Sequence, residues 1–96
     1  MDLLVTYDVT TTKPAGQKRL RKVAKVCEAH GQRVQKSVFE CTLNAAQKEQ
    51  FVHQLGEIIN EKEDSLRIYR LQQPREANVE MLGKPLALDL HDPLIV

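Results

Sequence analysis

The sequence predicts an α+β domain in which two helices cover one face of an antiparallel sheet. Two observations carry this expectation. Short, strand-like apolar runs at 2–9, 31–43 and 64–72 are separated by two stretches, 14–29 and 44–59, whose apolar residues recur at helical spacing. The chain's 96 residues hold one small core, with no room for a second.

Residues 2–9, DLLVTYDV, read as a central strand, because near-continuous apolarity suits a strand covered on both faces. Leu4, Thr6 and Asp8 fall on one face, and Leu3, Val5, Tyr7 and Val9 on the other. Thr11 or Thr12 is placed to cap the helix that follows, with Pro14 in its first turn and Gly31 at its C′ position. Leu20, Val23, Ala24 and Cys27 form the buried stripe of that helix. In GQRVQKSVFECTL, residues 31–43, the apolar phase changes near Ser37. Either a tight hairpin or one long strand with a bulge accounts for the change. Asn44 with Gln47 is a variant capping box for a second helix. Phe51, Val52, Leu55, Ile58 and Ile59 form its apolar stripe. Residues 64–72 alternate again, with Leu66 and Ile68 on one face and Arg67, Tyr69 and Leu71 on the other. VEML, 79–82, reads as a short strand, and Leu86, Leu88 and Leu90 in the tail have period two.

With a hairpin at Ser37 the order becomes βαββαβ, the ferredoxin-like pattern. The sheet face carrying Leu4, Thr6 and Asp8 is then left open, and the tail supplies more apolar strand than one small sheet needs. We therefore expect a ferredoxin-like unit over 1–78 and a C-terminal strand or tail over 79–96. That tail pairs with the other subunit of a homodimer, sheet face to sheet face.

Composition narrows the function. Apolar residues are 42% and charged residues 28% of the chain, a globular balance. No apolar run approaches a membrane span, and MDLLVTYDV lacks the basic start of a signal peptide. Cys27 and Cys41 form no CxxC and read as reduced, packed thiols of a cytoplasmic protein with no membrane partner. The net charge of +1 conceals an asymmetry: residues 13–36 hold eight Lys/Arg against one acid, Glu28. Lys18, Arg19, Arg21, Lys22 and Lys25 give the first helix a cationic roof, suited to backbone phosphates without sequence readout. A solvated helix face is the plainer reading of the same residues.

The chain has no glycine-rich phosphate loop, no Cys/His metal spacing and no HExxH. His30, His53 and His91 sit at a helix end, on a polar helix face and in the tail. Asp8 and the basic residues are the remaining reactive candidates. An acid at a strand end before threonines is ordinarily a turn or cap residue. A two-fold axis offers a second reading, in which Asp8 of each subunit approaches its copy and either a cation lies between them or one carboxyl is protonated. Mg²⁺, or Mn²⁺ in its place, suits one or two carboxylates plus waters and substrate phosphates. Four aromatic residues, Tyr7, Phe39, Phe51 and Tyr69, are too few for a single-strand binder that works by stacking.

LVTYDV, followed by KRLRKVAKVCEAHGQRVQKSVFEC and DSLRIYRL, resembles the second core CRISPR-associated protein family, the small partner of the CRISPR integrase in spacer acquisition. The tail DPLIV resembles members of the type I-C kind. The resemblance spans residues 1–72 and implies a ferredoxin-like homodimer whose last strand joins the partner's sheet. It implies a metal-dependent endonuclease acting on single-stranded RNA or double-stranded DNA, with Asp8 as catalytic metal ligand once per subunit. Tyr7, Arg19, Arg33, Ser37 and Phe39 match positions tied to activity or substrate contact. It also implies an architectural role, in which the dimer bridges two integrase dimers and supports duplex DNA with or without catalysis.

Overall fold

The computed structural model describes residues 1–84. The elements are β1 (Asp2–Asp8), α1 (Pro14–Glu28), β2 (Gly31–Gln35), β3 (Val38–Thr42), α2 (Ala45–Ile58) and β4 (Ser65–Leu71), followed by a short 3₁₀ turn at Arg75–Ala77. The sheet runs β2-β3-β1-β4 and every pairing is antiparallel. Each helix crosses over one strand, which makes the ferredoxin-like topology expected from the element order. β2 and β4 are the sheet edges.

Alternation along β1 sets the two faces. Leu3, Val5 and Tyr7 are buried, while Leu4 and Thr6 are half-buried and Asp8 is exposed. The buried set packs with Phe39 and Cys41 of β3, Val23 and Cys27 of α1, and Phe51 and Leu55 of α2, closed by Val9 and Leu43 from the connections. Leu20, Ala24, Ile58, Ile59, Leu66 and Ile68 border this core. Val52, expected in the α2 stripe, is instead 44% exposed. It lies one residue beyond Phe51 and so is rotated off the packed face.

Of the two readings of the segment around Ser37, the hairpin holds and the single long strand does not, although a bulge is present within β2. A two-residue turn, Lys36-Ser37, joins β2 to β3 because Gln35 pairs with Val38. The register then shifts between Arg33 and Gln35, leaving Val34 as a bulge. No non-glycine residue among those described has positive φ, so this turn is not the primed type that matches strand twist. The adjacent bulge supplies added twist instead.

The caps divide in the same way. Asn44 and Gln47 form the full capping box of α2, at 2.8 and 2.9 Å. α1 departs from expectation: its N-cap is Lys13, with Pro14 at the first helical position and no side-chain cap. Gly31 is not a left-handed C′ residue either, since Gly83 is the one positive-φ residue among those described. A Cβ on Gly31 would lie 2.0 Å from the Glu40 carbonyl oxygen and 2.6 Å from Cys41 Cα, so glycine is required there by the close approach of β2 to β3.

After β4 the chain turns at Gln73-Pro74, a cis peptide. Gln73 Nε2 donates to Asp2 at 2.6 Å, and Arg75 pairs with Glu40 at 2.7 Å. Residues 72–77 are thus tied to the Asp2 end of the open sheet face. The expected strand at 79–82 is absent from the described chain, where Val79, Met81 and Leu82 are exposed, Leu82 by 92%. A lone segment with no neighbouring sheet edge has nothing to satisfy its backbone as a strand. The expectations for Leu86, Leu88, Leu90 and the rest of 85–96 lie outside the described residues. No described helix is long and apolar enough to cross a membrane.

Candidate functional site

Asp8 ends β1, and its rung with Ser65 is the last of the β1–β4 ladder. On the same face Thr6 lies between Arg67 of β4 and Val38 of β3, and Leu4 lies between Tyr69 and Glu40. The open face therefore presents Leu4, Val38 and Tyr69 around a polar corner of Asp8, Ser65, Thr6 and Arg67. The Arg67 guanidinium donates to the Tyr69 hydroxyl at 3.2 Å. Sequence reasoning does not single out Arg67, although its alternation against Leu66 and Ile68 already puts it on this face.

Among the described residues the Asp8 carboxylate joins no ion pair and accepts no side-chain or capping hydrogen bond. It is not the turn-forming acid that its position before three threonines suggests. Nor do three His, Cys, Asp or Glu side chains gather into a metal-binding group within one described chain. An exposed carboxylate without protein partners does fit Mg²⁺, which takes one or two carboxylates and fills its shell with water and phosphate oxygens.

The cationic residues lie elsewhere. Lys18, Arg21, Lys22 and Lys25 are exposed on α1, and α1 packs on the sheet face opposite Asp8 through Val23 and Cys27. The fold does not gather the carboxylate and the cationic roof into one site on one chain. Arg19 leaves the roof altogether. Its Nε donates to Asp64 at 2.8 Å and its Nη2 to Asp64 and Glu63 at 3.2 and 3.3 Å. Asp64 is wholly buried at the side chain, against 17% exposure for Arg19. The Arg19 guanidinium, aided by the N–H groups of Asn60 and Thr10, holds the Asp64 carboxyl below the usual carboxylate range despite its burial.

Tyr7 and Phe39, expected among the nucleic-acid contacts, both lie in the core. Phe39 is 0% exposed and Tyr7 is buried, their rings stacked with centroids 6.2 Å apart. The phase of each strand turns them into the core, so no base reaches them without opening it. Among the described residues the Tyr7 hydroxyl has no hydrogen-bond partner, and burial pushes its pKa up. Arg33 is exposed, with its guanidinium 5.0 Å over the Phe39 ring and 3.4 Å from Glu28. Ser37 sits at the hairpin tip, where its carbonyl accepts the Tyr7 N–H at 3.1 Å. Cys27 and Cys41 are free, buried thiols, as their spacing suggests. The adjacent Cys41 and burial together push the Cys27 thiol far up, so it stays protonated.

A ferredoxin-like domain with a bare strand-end carboxylate on an open sheet face, and a cationic helix behind it, defines the class. The chain belongs to the CRISPR associated protein Cas2 family, whose model matches residues 1–79. It is 55% identical over 96 residues, all of both chains, to CRISPR-associated endoribonuclease Cas2 1 of Moorella thermoacetica. It is 50% identical over 99% of both chains to CRISPR-associated endonuclease Cas2 of Halalkalibacterium halodurans. The crystal structure of Streptococcus pyogenes Cas2 at pH 6.5 superposes with a TM-score of 0.77, at 54% identity, over 86% of this chain and 100% of that one. A hypothetical protein from Thermus thermophilus gives 0.72 at 32% identity, over 88% and 94%.

Proposed function

We propose that the chain acts in CRISPR adaptation as a homodimer that carries a Mg²⁺-dependent endonuclease site at its two-fold axis. The observation that carries this reading is the exposed Asp8 carboxylate, left without a protein partner among the described residues at the end of a central strand. Two copies meeting open face to open face cover Leu4, Val38 and Tyr69 and bring the two Asp8 side chains towards one axis. Residues 79–96 then add to the partner's sheet at the β4 edge, giving Val79, Met81 and Leu82 a place to pack. The two Asp8 carboxylates would hold Mg²⁺, which would supply Lewis-acid polarisation of a phosphodiester in RNA or duplex DNA. Arg67, beside Asp8 on the same face, offers a guanidinium to a phosphate oxygen. The names of the relatives, endoribonuclease and endonuclease, support phosphodiester hydrolysis.

The separation of the α1 cations from Asp8 favours a second, coexisting role. Lys18, Arg21, Lys22 and Lys25, doubled in the dimer, form outward surfaces suited to supporting duplex DNA while the dimer bridges two integrase dimers. The test is a cleavage assay on RNA and duplex DNA with Mg²⁺ or Mn²⁺, wild type against Asp8→Asn, with dimer mass checked for both. Cleavage lost in Asp8→Asn supports the nuclease reading; cleavage retained removes it. Reversing the charge of Lys18, Lys22 and Lys25 should abolish spacer acquisition and flatten the salt dependence of duplex binding. Unchanged acquisition removes the architectural role.

A further inference from the structure

Among the described residues nothing but its backbone holds Asp8, so whatever positions that backbone bears on where the carboxylate stands. The β1–β4 ladder ends at the rung of Asp8 with Ser65. Immediately beyond it, the buried carboxylate of Asp64 closes the two strands. Asp64 Oδ1 accepts the Thr10 N–H at 3.1 Å, and Oδ2 accepts the Asn60 N–H at 2.8 Å. Arg19 of α1 grips both oxygens. Thr10 adds its hydroxyl to the Glu63 carbonyl at 2.6 Å. On its other side Thr10 is pressed by α1, since a Cβ on Gly16 would lie 1.8 Å from the Thr10 carbonyl oxygen. Three segments thus converge on the residues flanking Asp8 and Ser65: the exit of β1, α1 and the α2–β4 loop.

The geometry points to Asp64, gripped by Arg19, as a positioning residue that sets where the Asp8 carboxylate stands. This deepens the proposed function and rests on its reading of Asp8 as a metal ligand. Asp64 touches neither metal nor substrate. It acts through the Thr10 amide and its own link to Ser65, which is why its effect differs from that of a remote stabilising contact. Asn44, the N-cap of α2, is such a remote contact and serves as a control whose loss costs stability without touching this clamp.

The experiment uses the full-length protein, with Mn²⁺ as the probe, read by electron paramagnetic resonance. Backbone amide shifts of Tyr7 and Asp8 are read by NMR without metal. Wild type, Asp8→Asn, Asp64→Ala and Asn44→Ala are compared below their unfolding transitions, with Asp64→Asn used if the alanine variant does not fold. Asp64→Ala should weaken Mn²⁺ binding about tenfold, the lower end expected for a residue that orients a metal ligand. It should also move both amides, while Asn44→Ala does neither. A folded Asp64→Ala that binds Mn²⁺ like wild type overturns the proposal, as does an equal loss in Asn44→Ala. If Asp8→Asn binds Mn²⁺ like wild type, the metal reading fails instead. The amides then decide the positioning role: moved by Asp64→Ala but not by Asn44→Ala they sustain it, and unmoved they overturn it.

Discussion

Replacing Asp64 by alanine should lower stability at pH 7 and leave a distinctive trace in acid. The carboxylate accepts two backbone N–H groups, from Thr10 and Asn60, and two bonds from Arg19. A hydrogen bond to a charged group contributes about 1.5–3 kcal/mol. Water entering the space left by the truncated side chain restores part of that, so we assign about 1 kcal/mol to each backbone donor. Nothing is assigned to Arg19, whose guanidinium reaches solvent. The sum, about 2 kcal/mol, corresponds to a Tm fall of roughly 8–16 °C for a domain of this size. The pH dependence follows from the direction of the shift. The folded carboxyl lies below its unfolded value, chiefly because of Arg19. Its contribution is therefore complete above the unfolded pKa of about 3.9 and is lost as pH falls through the folded pKa. Thermal unfolding of wild type and Asp64→Ala from pH 7 to pH 2 should show a gap that is constant down to about pH 4 and closes below it. A gap that persists undiminished at pH 2, or no gap at pH 7, refutes the buried ion-pair account.

Three further outcomes follow from the fold. Gly31→Ala should destabilise by more than about 2 kcal/mol, because its Cβ would meet backbone atoms of β3 and not a flexible side chain; denaturant midpoints test this. Gly56→Ala should do the opposite, adding up to about 1 kcal/mol, since Gly56 lies within α2 with nothing within 4 Å of a new Cβ. Asn44→Ala should cost about 1 kcal/mol by removing the side-chain half of the α2 capping box, again read from denaturant midpoints.

Period-two alternation makes the strand faces legible in the sequence itself. The burial of Leu3, Val5 and Tyr7 against the exposure of Asp8 needs only the pleat and a one-sided core. The Asn44–Gln47 cap is legible for a similar reason: both partners lie within one turn, so four consecutive positions of sequence contain the whole interaction. Two of the misreadings involve partners more distant in sequence. Arg19 has the spacing of a solvent-facing cation, and its withdrawal from the surface depends on Asp64, 45 residues away. Gly31 has the placement of a helix terminator, but the atoms that demand glycine belong to Glu40 and Cys41. Thr11 and Thr12 are plausible caps by identity, yet the chain enters α1 through Lys13 and Pro14.

The contrast between Tyr7 and Asp8 shows what neighbouring positions can and cannot share. They are adjacent in sequence, but a strand sends adjacent side chains to opposite faces. Tyr7 is committed to the core by its stacking on Phe39, so Asp8 is committed to the open face, and a one-residue slip would exchange them. The register at this end of β1 therefore decides which of the two side chains enters the core. The Ser37 carbonyl takes the Tyr7 N–H on one side of β1, and Asp64 takes the Thr10 N–H on the other. Together they hold the end of the strand from both neighbours, while among the described residues the Asp8 carboxylate itself has no ion-pair or hydrogen-bond partner.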